Sequence, residues 1–143
     1  MKNNERKQEL LKIAYNMFLN KGYENTSIED IIKEAKIAKG TYYYYFESKE
    51  ATLEEVINMM INEEVTIAKE VLNMPISIPE KIVGIITSLR PKIDEKEIQN
   101  TLNKKENLVM HEKINNRTIE EAIPLLEPVV NEGIKNSLQY VFK

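Results

Sequence analysis

Residues 26–46, TSIEDIIKEAKIAKGTYYYYF, hold two short helix-period segments separated by a turn of about three residues, Lys36-Ile37-Ala38. A chain patterned this way must pack one short helix across another, because neither segment is long enough to be stable alone. Thr26-Ser27-Ile28-Glu29 has the form of a capping box, with Glu three positions after Thr, and Ile28, Ile31, Ile32 and Ala35 form the apolar stripe behind it. Upstream, Leu10, Leu11, Ala14, Met17 and Phe18 recur at spacings of three and four between Glu5 and Asn20, and Gly22 supplies a left-handed stop. Downstream, Ser48 can cap a long helix running through Leu53, Val56, Ile57, Met60, Ile61 and Val65 to about Leu72. Three short helices and a long one predict a helix-turn-helix head, in which the second helix of the pair enters a DNA major groove.

The remainder also reads as helix. Met74-Pro75 and Pro79 mark a turn, and helical stretches follow over 79–90, 94–104, 106–114 and 115–140, with breaks at Pro91 and Asp94. Pro124 and Pro128 predict a kink or a restart in the last of them. No strand alternation is sustained, so the fold class is all-α, with a head over 1–47 and a helical body over 48–143.

Composition narrows the chemistry. The absence of cysteine removes disulfides, thiol catalysis and thiolate zinc sites, and a single histidine, His111, cannot build a histidine-rich metal centre. No nucleophile motif or glycine-rich phosphate loop stands out, so an enzyme is not expected, nor a metal or cofactor. No apolar run is long enough to span a bilayer and the first residues lack a signal-peptide block, which predicts a cytoplasmic location without a membrane partner. The net charge of −3 is unevenly spread: residues 1–50 carry nine Lys/Arg against eight Asp/Glu, and the acidity lies in the rest. Lys33, Lys36, Lys39 and Lys49 form a modest basic patch beside the helix pair.

The run Tyr42-Tyr43-Tyr44-Tyr45 then becomes intelligible. Successive residues of a helix point about 100° apart, so only one or two of the four can be buried. With Ile37, Tyr42 and Phe46 inside, Lys39, Thr41, Tyr43, Tyr44 and Tyr45 look out. Exposed phenols suit a phosphate backbone, where each hydroxyl donates to an oxygen and each ring packs on sugar or a thymine methyl. Gly40, lacking a side chain, lets the first helical turn approach a base edge.

The stretch GYENTSIEDIIKEAKIAKGTYYYYFESKE closely resembles the DNA-binding head of the TetR family of transcriptional regulators. The resemblance covers nearly all of residues 5–53; the later segment NLVMHEKINNRTIEEAIPLLEPVVNEGI resembles the family only loosely. It implies a homodimeric repressor that sits on a double-stranded palindromic operator and is released by a small-molecule effector. By position, Thr26 and Ser27 would cap the second helix and hold a phosphate, Lys39, Gly40, Thr41 and Tyr43 would read or abut base edges, and Tyr44, Tyr45 and Lys49 would grip the backbone. Lys36 adds charge at the turn. Four positions depart from the family pattern: Tyr42 stands for a buried Leu, Lys36 for Gly, Ala38 for Ser, and Thr52 for an apolar residue. In the body, Met110 and His111 are candidate ligand contacts, although packing alone would account for either. A body that binds a protein partner is the alternative reading. Proteins of this kind continue beyond the segment that ends this chain, and the apolar edge Leu125, Leu126, Val129, Val130, Ile134, Leu138, Val141 and Phe142 predicts a covering segment.

Overall fold

The computed structural model describes residues 2–90, 92 and 95–141. It is helical from end to end: α1 Lys2–Lys21, α2 Ile28–Ala35, α3 Lys39–Tyr45, α4 Lys49–Leu72, α5 Ile78–Ser88, α6 Lys96–Leu102, a 3-10 turn at Lys105–Asn107, and α7 Leu108–Val141. No strand occurs among the described residues. The expected breaks at Pro91 and Asp94 lie outside them. Packing divides the chain into two units, residues 1–59 with 91–112 and residues 60–90 with 113–143. The first unit therefore extends past the 47/48 division expected from the helix pattern and takes in the start of α4 together with α6.

In the first unit, Leu10, Leu11, Ala14 and Phe18 of α1 are buried with Ile31 of α2, Tyr42 and Phe46 at α3, Leu53, Val56 and Ile57 of α4, and Ile98 and Leu102 of α6. Each large side chain so buried contributes roughly 1.5–3 kcal/mol. Among the described residues every buried side-chain nitrogen and oxygen is paired. Glu95, 1% exposed, accepts a hydrogen bond from the Tyr15 hydroxyl at 3.0 Å and one from the Lys92 amide at 2.9 Å. Gly22 takes the left-handed conformation predicted for it, with φ of 82°.

The start of α2 differs from expectation by one residue. Ser27 is the cap, its hydroxyl accepting from the Asp30 amide at 3.0 Å while the Asp30 carboxylate accepts from the Ser27 amide at 2.9 Å. Thr26 is fully buried instead, and its hydroxyl donates to the Gly22 carbonyl at 2.8 Å. The pattern is ambiguous because both Thr26 and Ser27 have an acidic residue three positions on. Lys36 ends α2 in the left-handed region, at φ 54° and ψ 47°, and Ala38 opens α3 without a side-chain cap.

In the second unit, Met60, Ile61, Val65 and Ala68 of α4, Ile85 of α5, and Ile114, Leu125 and Val129 of α7 are buried. A Cβ built on Gly84 would lie 2.7 Å from a methyl of Val71, so α5 can approach α4 this closely only because residue 84 is glycine. The segments expected at 106–114 and 115–140 form one helix from Leu108 to Val141, without the predicted restart at Pro124 or Pro128. Both prolines are exposed and lie four residues apart, so the carbonyls they leave without partners face solvent, which can hydrate them. Of the expected apolar edge, Leu125 and Val129 are buried, Leu126 is half-buried, and Val130, Ile134 and Leu138 are exposed. The Val141 side chain and Phe142 lie outside the described residues.

Two stability predictions follow from the ends of α2. A β-carbon in the left-handed region costs about 1–2 kcal/mol, partly offset by the extra freedom glycine has in the unfolded chain. Lys36→Gly is therefore expected to stabilise the protein by about 0.5–1 kcal/mol in denaturant titration, and Lys36→Ala should not. Asp30 is held at about 2, below its ordinary 3.8, first by the Ser27 amide and then by Lys21. A depressed carboxylate contributes fully above its unfolded value and loses that contribution as it protonates in the fold. Wild type should lose stability more steeply than Asp30→Asn between pH 3.8 and about 2, as read from thermal melts across that range.

Candidate nucleic-acid interface

The tyrosine run resolves into one anchor and three outer rings. Tyr42 is 0% exposed, Tyr43 44%, Tyr44 70%, and Tyr45 is half-buried. The rings hold one another edge-on, Tyr43 against Tyr42 at 5.5 Å and Tyr44 against Tyr45 at 5.0 Å between centroids. Such pairs restrict ring rotation, so the outer phenols are presented in a defined arrangement. Ile37, expected inside, is half-buried.

At the start of α3, Lys39 and Gly40 are exposed and Thr41 is half-buried. The Lys39 amine lies 3.8 Å from a Glu29 carboxylate oxygen, with both side chains well exposed. A pair this loose and this solvated holds the lysine weakly and leaves it able to exchange partners. A Cβ at Gly40 would meet nothing within 4 Å. The protein itself therefore has room for a methyl there.

Lys49 is the first residue of α4, where a positive charge opposes the helix dipole. Its amine sits over the ring of Tyr23, 4.2 Å from the centroid. Partial burial lowers the pKa of Lys49, against the pull of Asp30 in the other direction. Tyr23 in turn stands edge-on to Phe18 at 5.2 Å, and burial, then Glu50, pushes its phenol up to about 12. An aromatic face holds an ammonium without consuming its N–H donors, so the amine is placed yet still able to bind an anion. Sequence reasoning did not single out Tyr23.

Of the remaining expected contacts, Lys36 and Ser27 are exposed. Ser27 spends its oxygen lone pair on the Asp30 amide and keeps its O–H for an acceptor. Thr26 is withdrawn from the set because its hydroxyl is buried and committed inside the fold. Met110 and His111 are both half-buried near the start of α7, and neither lines the cleft of about 290 Å³ between the α1–α2 turn and α6, where Lys104 pairs with Glu24. Among the described residues no group of three or more His, Asp or Glu side chains could hold a metal ion.

An all-helical chain with a helix-turn-helix head and an outward tyrosine and lysine face on its second helix has the form of a transcriptional regulator. Residues 10–56, which span the helix-turn-helix head, match the bacterial regulatory proteins of the tetR family. A curated relative, the HTH-type transcriptional repressor KstR2 of Mycolicibacterium smegmatis, is 31% identical over 94 residues, covering 66% of this chain and 46% of the relative. The fold is shared with solved structures. Reduced NemR of E. coli superposes with a TM-score of 0.69 at 19% identity, over 92% of this chain and 72% of that one. A regulator from Saccharomonospora viridis in complex with choline gives 0.63 at 18% identity, over 87% and 71%. The matched segments span between 21% and 46% of the first curated relatives' own lengths.

The open space around Gly40 makes a direct prediction about the fold. Gly40→Ala should leave the helical circular dichroism unchanged and raise stability by up to about 1 kcal/mol. A lowered melting temperature would show that the protein needs glycine there for its own packing.

Proposed function

We propose that the chain acts in a dimeric transcriptional repressor, with residues 1–47 reading an operator and residues 48–143 carrying an effector site. The observation that supports this best is the division of labour in α3: Tyr42 is buried while Lys39, Gly40, Tyr43 and Tyr44 face outward on a head that matches the tetR family. On this reading Lys39, Gly40, Thr41 and Tyr43 meet base edges, and Tyr44, Tyr45, Lys49, Lys36 and the Ser27 hydroxyl meet the phosphate backbone. In a dimer the two α3 helices would lie about 34–36 Å apart, in successive major grooves of a palindrome. A small molecule in the body would release the operator to the extent that its affinities for the bound and free arrangements differ. The choline-bound structural relative supports a small-molecule effector of this kind, and Met110 and His111 remain candidates for contacting it. No described helix is long and apolar enough to cross a membrane, in keeping with a cytoplasmic regulator.

The alternative, a body that binds a protein, draws on a specific observation. Val83 and Ile86 on α5 and Ile119, Ile123, Val130, Ile134 and Leu138 on α7 are all at least 43% exposed. Apolar side chains at this density on two helices of one unit suit a protein surface. A second copy would satisfy them as well as a foreign partner.

Fluorescence anisotropy on the DNA upstream of the protein's own gene, against a shuffled duplex at two salt concentrations, tests the reading. Preference for the native duplex, tightening as salt falls, with two protomers per site, is the expected result; equal binding to both duplexes contradicts operator recognition. Tyr43→Ala should weaken specific more than non-specific binding, whereas Lys49→Ala should weaken both and reduce the salt slope by about one. Equal losses for Tyr43→Ala would move that residue from base reading to backbone contact.

A further inference from the structure

Two departures from the family pattern meet inside the head. Tyr42 and Thr52 are both 0% exposed, and their hydroxyls are hydrogen-bonded to each other across α3 and α4. Thr52 donates its own proton to the Ser48 carbonyl at 3.0 Å, so the Tyr42 hydroxyl is the donor to Thr52. Ser48 is also the cap of α4, its side chain accepting from the Ala51 amide at 3.0 Å. The result is a chain from the middle of α3 to the first turn of α4, with Lys49 next to its end and Tyr43 packed edge-on against its first ring.

We infer that Tyr42 and Thr52 are positioning residues, whose hydroxyl chain fixes the angle of α3 on the first turn of α4 and so sets how Tyr43 and Lys49 face DNA. Three features carry this inference, which rests on the DNA-binding reading. Helix α3 has seven residues and no side-chain cap, so its direction must come from a tertiary contact. The ring contact of Tyr42 with Phe46, at 5.5 Å between centroids, lies within α3 and its C-cap and so does not orient α3 on α4. A buried hydroxyl chain is directional, and rotating α3 would leave the buried Tyr42 hydroxyl without its acceptor.

The test compares wild type, Tyr42→Phe, Thr52→Val and the double variant Tyr42→Phe/Thr52→Val. Melting temperature, amide hydrogen exchange by NMR, and affinity for native and shuffled duplexes are measured on each. Either single variant should speed exchange in α3 about tenfold more than in α1, and reduce the preference for native DNA by about tenfold. The double variant replaces both hydroxyls by apolar groups of similar shape, so its melting temperature should recover while α3 exchange and DNA preference do not. Recovery of all three in the double variant would overturn the inference, because packing alone would then position α3. Uniform exchange changes across α1 and α3 in the single variants would also overturn it, as would an undiminished DNA preference. If wild type shows no preference for native DNA, the operator reading itself fails and the positioning role falls with it; a preference kept by every variant defeats only the positioning role.

Discussion

Everything presented by α3 depends on which tyrosine is buried. A seven-residue helix has too few backbone hydrogen bonds to hold itself in place, and the buried Tyr42 anchors it in the core of the head. With that ring inside, the helical repeat turns Tyr43 and Tyr44 outward and leaves Tyr45 at the margin. Phe46 closes the core behind them, 1% exposed. An aromatic where the family pattern places leucine needs a partner for its hydroxyl, and Thr52 supplies one within the core. The two substitutions are thus one adaptation: a larger anchor whose polar tip is satisfied.

The second constraint is electrostatic. The head is nearly neutral, so DNA attraction cannot come from bulk charge and must come from where individual cations are held. Lys49 lies at a helix N-terminus, an unfavourable place for an ammonium, and Tyr23 holds it there through its ring face. Lys39 is paired only loosely with Glu29. A few placed cations beside a row of phenols can bind a phosphate backbone without the large basic surface that a less ordered site would need.

Most of the helices were legible because apolar spacing and caps report directly on local structure. The stops at Gly22 and Lys36 and the cap at Ser48 could all be read from neighbouring residues. The single-residue error at α2 arose where two hydroxyl residues each precede an acidic one at the same spacing, and burial decided between them. Of the kink or restart expected at Pro124 and Pro128, the restart does not occur: a proline removes one hydrogen bond and crowds the preceding turn, which can end a helix or only bend it, and exposure of the orphaned carbonyls, a tertiary property, favours continuation. Contacts between distant positions were hidden for the same reason. Glu95 with Tyr15 and Lys49 with Tyr23 join residues that no local pattern connects. Tyr42 and Thr52 did leave a signal, because both depart from the family pattern, yet only the fold shows that they touch.

If the outward face of α3, together with Lys49, is where DNA binds, a duplex must perturb that face before any other. NMR chemical-shift mapping of the protein titrated with duplex DNA from upstream of its own gene tests it most directly. Perturbations are expected at Lys39–Tyr45 and around Lys49, Ser27 and Tyr23, with the α5 and α7 amides of the second unit nearly unchanged. Perturbations centred on the exposed apolar residues of α5 and α7, with α3 silent, would contradict it.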